Sequence, residues 1–410
     1  MEVLAKVLYN GRTVRDGGVK VCIEGDRISD IVADKSANTG YITPAFIDAH
    51  SHIGLDRQSE PMAEGETNDV TNQIQPLLDP LNSVYFDDSA FIDAVNWGVL
   101  YSCIVPGSGN VLGGKAVIIR NFARNRKTAL IKYYGYKMAL GFNPRLIESS
   151  EEWKGDRPNT RMGVYSLLES KFDSLLLKQQ RAHLEKNKAL LEDENNKKTE
   201  LIHQEYELSF NPEDRALLEL LNGSVVAKVH VHKIDDIYYL IGLAKKYNLK
   251  ISAEHLCDVN DQQVFRDVAD AGMQIVYGPL GSFDYKTELK NSSYKNAALL
   301  MQSGVKFGLM TDHPVVMSYC FRDQLKYFLI NGMSKEKALS LVTLDNARIL
   351  GMDNDLGTVE PGKLASFVVW NKDPFDLSSV PTMVCAEGKM LNINCILRQP
   401  VDYEYPCINV

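Results

Sequence analysis

Phe46-Ile47-Asp48-Ala49-His50-Ser51-His52-Ile53 begins as a short apolar run and closes on two histidines one residue apart. A run of this length suits a strand buried on both faces, as in a parallel sheet covered by helices. Alternation along a strand sends His50 and His52 to the same side. Two neutral imidazoles on one side can chelate one divalent ion. An H-x-H pair fits a polar strand end equally well, so its meaning depends on the rest of the chain.

Seven further short apolar runs follow, at residues 100–105, 116–119, 134–139, 225–231, 250–253, 274–277 and 305–310, and the first run covers 45–49. Segments of helical period, such as 237–247 and 262–271, lie between them. Eight buried strands alternating with helices predict an α/β fold, a (β/α)8 TIM-like barrel, with an open doubly wound sheet as the alternative. A parallel barrel gathers its functional side chains at the C-terminal ends of its strands. Six of the eight histidines stand at such ends: His50 and His52, His230 and His232, His255, and His313. In Val229-His-Val-His-Lys233, His230 is nearer the expected strand end and is the preferred ligand. His232 is left to substrate contact or to hydrogen bonding behind the ligands. In Leu309-Met-Thr-Asp-His-Pro314, Asp312 can bind a cation and exchange a proton with water. A satisfied core histidine, or an aspartate capping the next helix, is the plain reading of any one of these places. Several strands ending this way favour a shared site.

The two ends of the chain differ from its middle. Residues 3–41 alternate apolar and polar residues between turn signals such as Asn10-Gly11 and Gly25-Asp26, and a similar texture returns from Leu356. This predicts a composite β-sandwich from residues 1–44 plus 356–400, and a barrel over 45–355. Residues 165–221, rich in Leu, Lys, Glu and Gln, read as exposed helices inserted between the fourth and fifth strands.

With 45% hydrophobic and 24% charged residues over 410 positions, the composition is that of a globular protein. The net charge of −8 and the lack of a basic stripe argue against nucleic acid as a partner. The seven cysteines, Cys22, Cys103, Cys257, Cys320, Cys385, Cys395 and Cys407, form no C-x-x-C pair, which favours free thiols in a reducing compartment. The first fifteen or so residues lack an apolar signal-peptide core, and no long apolar run offers a membrane span. The expectation is a cytoplasmic protein.

Together these residues resemble the metal-dependent amidohydrolase superfamily, in particular its imidazolonepropionase-like branch. The resemblance runs from Thr43-Pro-Ala-Phe-Ile-Asp-Ala-His-Ser-His52 through His230, His255 and Asp312 to Leu356-Gly-Thr-Val-Glu-Pro-Gly-Lys363 and Val368-Val-Trp370. It implies a distorted TIM barrel with a flanking β-sandwich. It implies His50, His52, His230, His255 and Asp312 as metal ligands, with one or two divalent ions, zinc first among the candidates. Asp312 then shuttles the proton, and His255 binds a second metal or acts as an electrophilic acid. Two-metal members need a bridging anion on the fourth strand. Lys137, as a carbamate, is a candidate there. Closer relatives carry a glutamate where this chain has Phe142, which cannot bind a metal.

The activity implied is hydrolysis of a C–N bond in a small cyclic or peptide-like amide by a metal-activated water. Deamination is an alternative, as is a catalytically impaired protein with an assembly role. Arg161, His232 and His313 are candidate substrate contacts. A small-molecule substrate and a homo-oligomeric state are expected, without nucleic acid or membrane partners. Pro106-Gly-Ser-Gly-Asn-Val-Leu-Gly-Gly-Lys115 lacks the Gly-Lys-Ser/Thr ending of a phosphate-binding loop and reads as a tight loop near the barrel mouth. Pro279-Leu280-Gly281 is a second candidate pocket loop.

Overall fold

The computed structural model describes residues 1–393 apart from 59, 62, 63, 70, 146–156, 194–196 and 283–285. Cys395, Cys407 and the last part of the expected composite domain lie outside the described residues. In chain order the strands are β1 (Glu2–Tyr9), β2 (Val14–Glu24), β3 (Arg27–Ala33), β4 (Tyr41–Pro44), β5 (Phe46–Ser51), β6 (Val99–Ile104), β7 (Leu112–Arg120), β8 (Leu130–Ala139), β9 (Val226–Val231), β10 (Lys250–His255), β11 (Gln274–Tyr277), β12 (Gly308–Leu309), β13 (Phe367–Trp370), β14 (Pro381–Ala386) and β15 (Lys389–Leu391).

Strands β5 to β12 follow one another in a single eight-stranded sheet, each run expected from the sequence supplying one strand. Every described residue of β5 and β6 is buried, as two-sided covering requires. The expectation of eight parallel strands fails at the third. β7 runs antiparallel to both β6 and β8. Only residues 105–111 join β6 to β7, whereas a parallel crossover needs about a dozen residues or more. β6 and β8 keep the common direction, so their C-terminal ends still reach the same rim.

The sheet nearly closes between β12 and β5. Asn346 Nδ2 donates to Ile47 O at 2.6 Å and Leu309 O at 2.8 Å, while its Oδ1 accepts from Leu309 N at 3.1 Å. One side chain thus does what a strand ladder does elsewhere, which is why β12 is two residues rather than the expected six. Gly308 is required here because a Cβ would stand 1.9 Å from Asn346 Oδ1. Past this seam, Asp312 N donates to His50 O at 3.1 Å and His52 N to His313 O at 3.0 Å. The first and last strand ends are therefore stitched together at the rim.

Strands from both ends of the chain form a second, seven-stranded sheet in the order β15-β14-β13-β4-β1-β2-β3. It is one continuous sheet with its own core, including Val19, Val21, Ile42 and Phe367. β4 runs parallel to β1 and antiparallel to β13, then passes directly into β5.

Between β8 and β9 lie the helices Arg161–Glu192, Thr199–Leu208 and Pro212–Leu221, in the place expected for the insertion. The first is capped by Thr160, whose hydroxyl accepts from Gly163 N. It buries Val164, Leu168, Phe172 and Leu175, spaced three and four apart, so one face of its first turns packs inward. Farther along, Leu184 and Leu191 are exposed. Among the described residues no helix is long and apolar enough to cross a membrane.

Candidate metal centre

At the end of β5 the strand alternation holds, and the His50 and His52 rings lie 5.3 Å apart. His52 Nδ1 faces Val105 O at 2.8 Å, and His50 Nδ1 faces Glu254 Oε2 at 2.8 Å. A carbonyl and a carboxylate both accept, so each ring donates from Nδ1 and presents the Nε2 lone pair to the barrel mouth. That is the tautomer a metal-ligating histidine needs. Both Nε2 atoms point at Asp312 Oδ1, at 3.3 Å from His50 and 3.1 Å from His52. Lone pairs facing a carboxylate oxygen repel unless a proton or a cation stands among them.

His230 and His232 at the end of β9 lie 4.7 Å apart, and His255 at the end of β10 lies 4.2 Å from His230, 4.9 Å from His232 and 5.0 Å from His50. Successive strand residues face opposite sides, yet both Glu254 and His255 reach His50. His255 does so because its φ is +79°, followed by Leu256 at +55°, which turns its ring back into the mouth. Asp312, with φ of +50°, is turned in the same way. Non-glycine residues held in this region store strain that a site can use. His255 Nδ1 donates to Gly278 O at 3.0 Å, and its Nε2 is buried with no partner.

Two sets of donors converge within 4.8 Å: His50, His255 and Asp312, and His230, His232 and His255. The sequence assigned His232 to substrate contact. The structure places it beside His230 as a further donor, with its Nδ1 buried and unpartnered. Burial first, then neighbouring positive charge, pushes His50 down and His230 well down, and carries His232 to about 3. Burial also pushes His255 well down. The rings are therefore neutral at physiological pH, the form that binds metal. The Asp312 carboxylate stands among these rings, with Oδ1 at 3.3 Å from His50 Nε2 and 3.1 Å from His52 Nε2 and Oδ2 at 4.0 Å from His255 Nδ1. Orphaned ring nitrogens, inward lone pairs and a carboxyl group among them together fit a divalent ion.

Lys137 on β8 is fully buried, with Nζ 3.0 Å from His50 Nε2. Burial pushes its ammonium down to about 8, so a neutral amine is accessible near neutral pH. His313 faces a neighbouring pocket lined by Asp56, Arg57 and Glu60, and burial carries its ring to about 4. Arg161 is not among the residues lining the histidine cavity. Its guanidinium lies 3.1 Å from Asp236 Oδ1, joining the insertion to the helix Ile234–Tyr247. The two expected pocket loops do reach the mouth: Gly107, Ser108 and Pro279 line the cavity of about 230 Å³ that holds His52, His230, His232, His255 and Asp312. A larger cavity, about 580 Å³, contains no histidine.

Two buried glutamates escaped the sequence reading. Glu254 lies in the interior of β10, where Oε1 accepts from Lys228 Nζ at 2.9 Å and from Ser252 Oγ. Burial opposes its charge, yet Lys228 and His50 hold the carboxyl below its ordinary range. An acid inside an apolar strand, with a lysine inside the preceding one, is the signal that could have revealed it. Glu288, on the short 3-10 turn Thr287–Leu289 that follows β11, brings Oε1 to 3.3 Å from His230 Nε2 and 3.9 Å from His232 Nε2. No periodicity marks it.

The sequence profile of the amidohydrolase family matches residues 178–391, just over half of the chain. The chain belongs to the amidohydrolase family. Within it, the protein is 25% identical over 369 residues to "Amidohydrolase tasK" of Hapsidospora irregularis, covering 85% of this chain and 36% of that protein. It is 29% identical over 177 residues to an imidazolonepropionase of Pseudomonas fluorescens, covering 42% of each. The chain thus spans less than half the length of these curated relatives. Among solved structures, an amidohydrolase from Thermotoga maritima MSB8 superposes with a TM-score of 0.81 at 27% identity, over 95% of this chain and 99% of that one. A Xaa-Pro dipeptidase shares the fold, with a TM-score of 0.56 at 15% identity over 96% and 100% of the two chains.

Proposed function

We propose that this amidohydrolase-family chain is a metal-dependent hydrolase that cleaves a C–N bond in a small polar substrate, a cyclic amide or a peptide-like amide. The observation that carries the reading is the convergence of His50, His52 and His255 on Asp312, with His230 and His232 packed beside His255. Zinc, as one or two ions per chain, held by these residues would lower the pKa of a water toward about 7 and polarise a carbonyl. Asp312, within 3.1 to 4.0 Å of three of the rings, accepts the water's proton and returns it to the leaving nitrogen. Glu254 fixes the tautomer of His50, and Gly278 that of His255. Lys137, carried as a carbamate, is the candidate bridge when two ions are present. The cavity of about 230 Å³ admits only a compact substrate.

The test is a panel of cyclic amides, N-acyl amino acids and dipeptides offered to the zinc-loaded protein, with amine, carboxylate and free ammonia measured separately. Amide cleavage that disappears in Asp312→Asn is expected. Ammonia release from a ring substrate without amide cleavage would move the chain to the deaminases, and a metal-loaded protein inert across the panel would count against the reading.

A further inference from the structure

The two donor sets differ in charge. His50 and His255 share Asp312, whereas His230, His232 and His255 form a set of neutral rings. A divalent ion held by imidazoles alone in a buried cleft keeps its full charge in a low-dielectric setting, which is costly. The structure brings one more anion to this second set. Glu288 is 2% exposed, and its Oε1 lies 3.3 Å from His230 Nε2 and 3.9 Å from His232 Nε2.

Its carboxylate sits in a fitted socket. Phe142 N donates to Oε2 at 2.9 Å. Gly141, at a φ of +82°, leaves the space that a side chain would fill, since a Cβ there would stand 2.7 Å from Oε2. Lys286 Nζ lies 2.5 Å from Oε1 and has a second anchor in Asn143 Oδ1 at 3.0 Å. The ammonium shows that a cation is accommodated beside this oxygen.

We propose that Glu288 is an anionic ligand for a divalent ion at His230 and His232, supplied from the 3-10 turn Thr287–Leu289. Its carboxylate is held in place by the backbone N–H of Phe142. The inference rests on the metal-dependent reading above. It also fixes a role for Gly141, whose bare backbone makes room for the carboxylate.

The test titrates zinc(II) into the chelator-treated full chain and records the visible spectrum of its cobalt(II)-loaded form. Comparison is among the parent, Glu288→Gln and Asp312→Asn. Because Glu288→Gln removes a close anionic neighbour of the Lys286 ammonium, the double variant Lys286→Met/Glu288→Gln is measured beside it. Loss of Glu288 should weaken zinc binding by about 10–100-fold, the scale of losing a supporting group at a metal site, and should change the cobalt spectrum. Parent-like affinity and an unchanged cobalt spectrum in both Glu288 variants, while Asp312→Asn loses metal, would overturn this inference alone. A folded parent that takes up neither zinc nor cobalt would overturn it together with the metal-dependent reading.

Discussion

The Asp312 oxygens face three imidazoles, so its replacement strikes the metal site and the proton path while leaving the fold in place. Asp312→Asn should lower kcat by about 10³-fold or more with the circular dichroism spectrum unchanged, in line with loss of a general acid–base group. Full turnover in that variant would remove Asp312 from the proton path. Glu254→Gln should act on both metal and stability. It frees His50 Nδ1 from its carboxylate and leaves Lys228 buried without a counter-charge, costing about 3–5 kcal/mol and loosening the metal. Urea unfolding of the metal-free protein reads the first effect. His313 gives a pH signature, because its folded value of about 4 lies below the unfolded 6.5. The unfolded chain binds more protons between those values, so the ring's contribution is complete above pH 6.5 and is lost as pH falls toward 4. The metal-free protein should lose stability across that window, and His313→Gln should flatten the loss. The histidines were legible in the sequence because each ends an apolar run. Glu254 and Glu288 were not, because a buried carboxylate is explained only by partners that folding brings from elsewhere.

At the scale of elements, the seam between β5 and β12 depends on Asn346. Asn346→Ala leaves Ile47 O, Leu309 O and Leu309 N without this partner, and should destabilise the protein by about 3 kcal/mol. An unfolding midpoint equal to that of the parent would show that the seam closes without it. The first insertion helix divides in the same way. Phe172→Ala should cost about 3–5 kcal/mol because the ring is fully buried, while the exposed Leu184→Ala should stay within about 0.5 kcal/mol. Every strand run was readable because burial on both faces writes a continuous apolar stretch. The direction of β7 was a matter of loop length, and its glycine-rich link 105–111 carried that information unread. The shortness of β12 was invisible, since it follows from a side chain on the helix Leu344–Ile349.

Across the whole molecule, the barrel brings side chains from β5, β8, β9, β10 and the segment after β12 to one rim, although they are spread from residue 50 to residue 312. The family, the eight strands and most of the donor set could be read from spacing and resemblance. The place of His232 among the donors and the pairing of Arg161 with Asp236 could not, because both depend on distances between distant segments. Binding of a divalent metal at this rim underlies the proposed chemistry. It is tested most directly by elemental analysis of the protein purified without added metal or chelator, and again after dialysis against zinc, expressed as moles per chain. At least one equivalent is expected, reduced in Asp312→Asn. A folded chain that carries no transition metal and takes up none would contradict it.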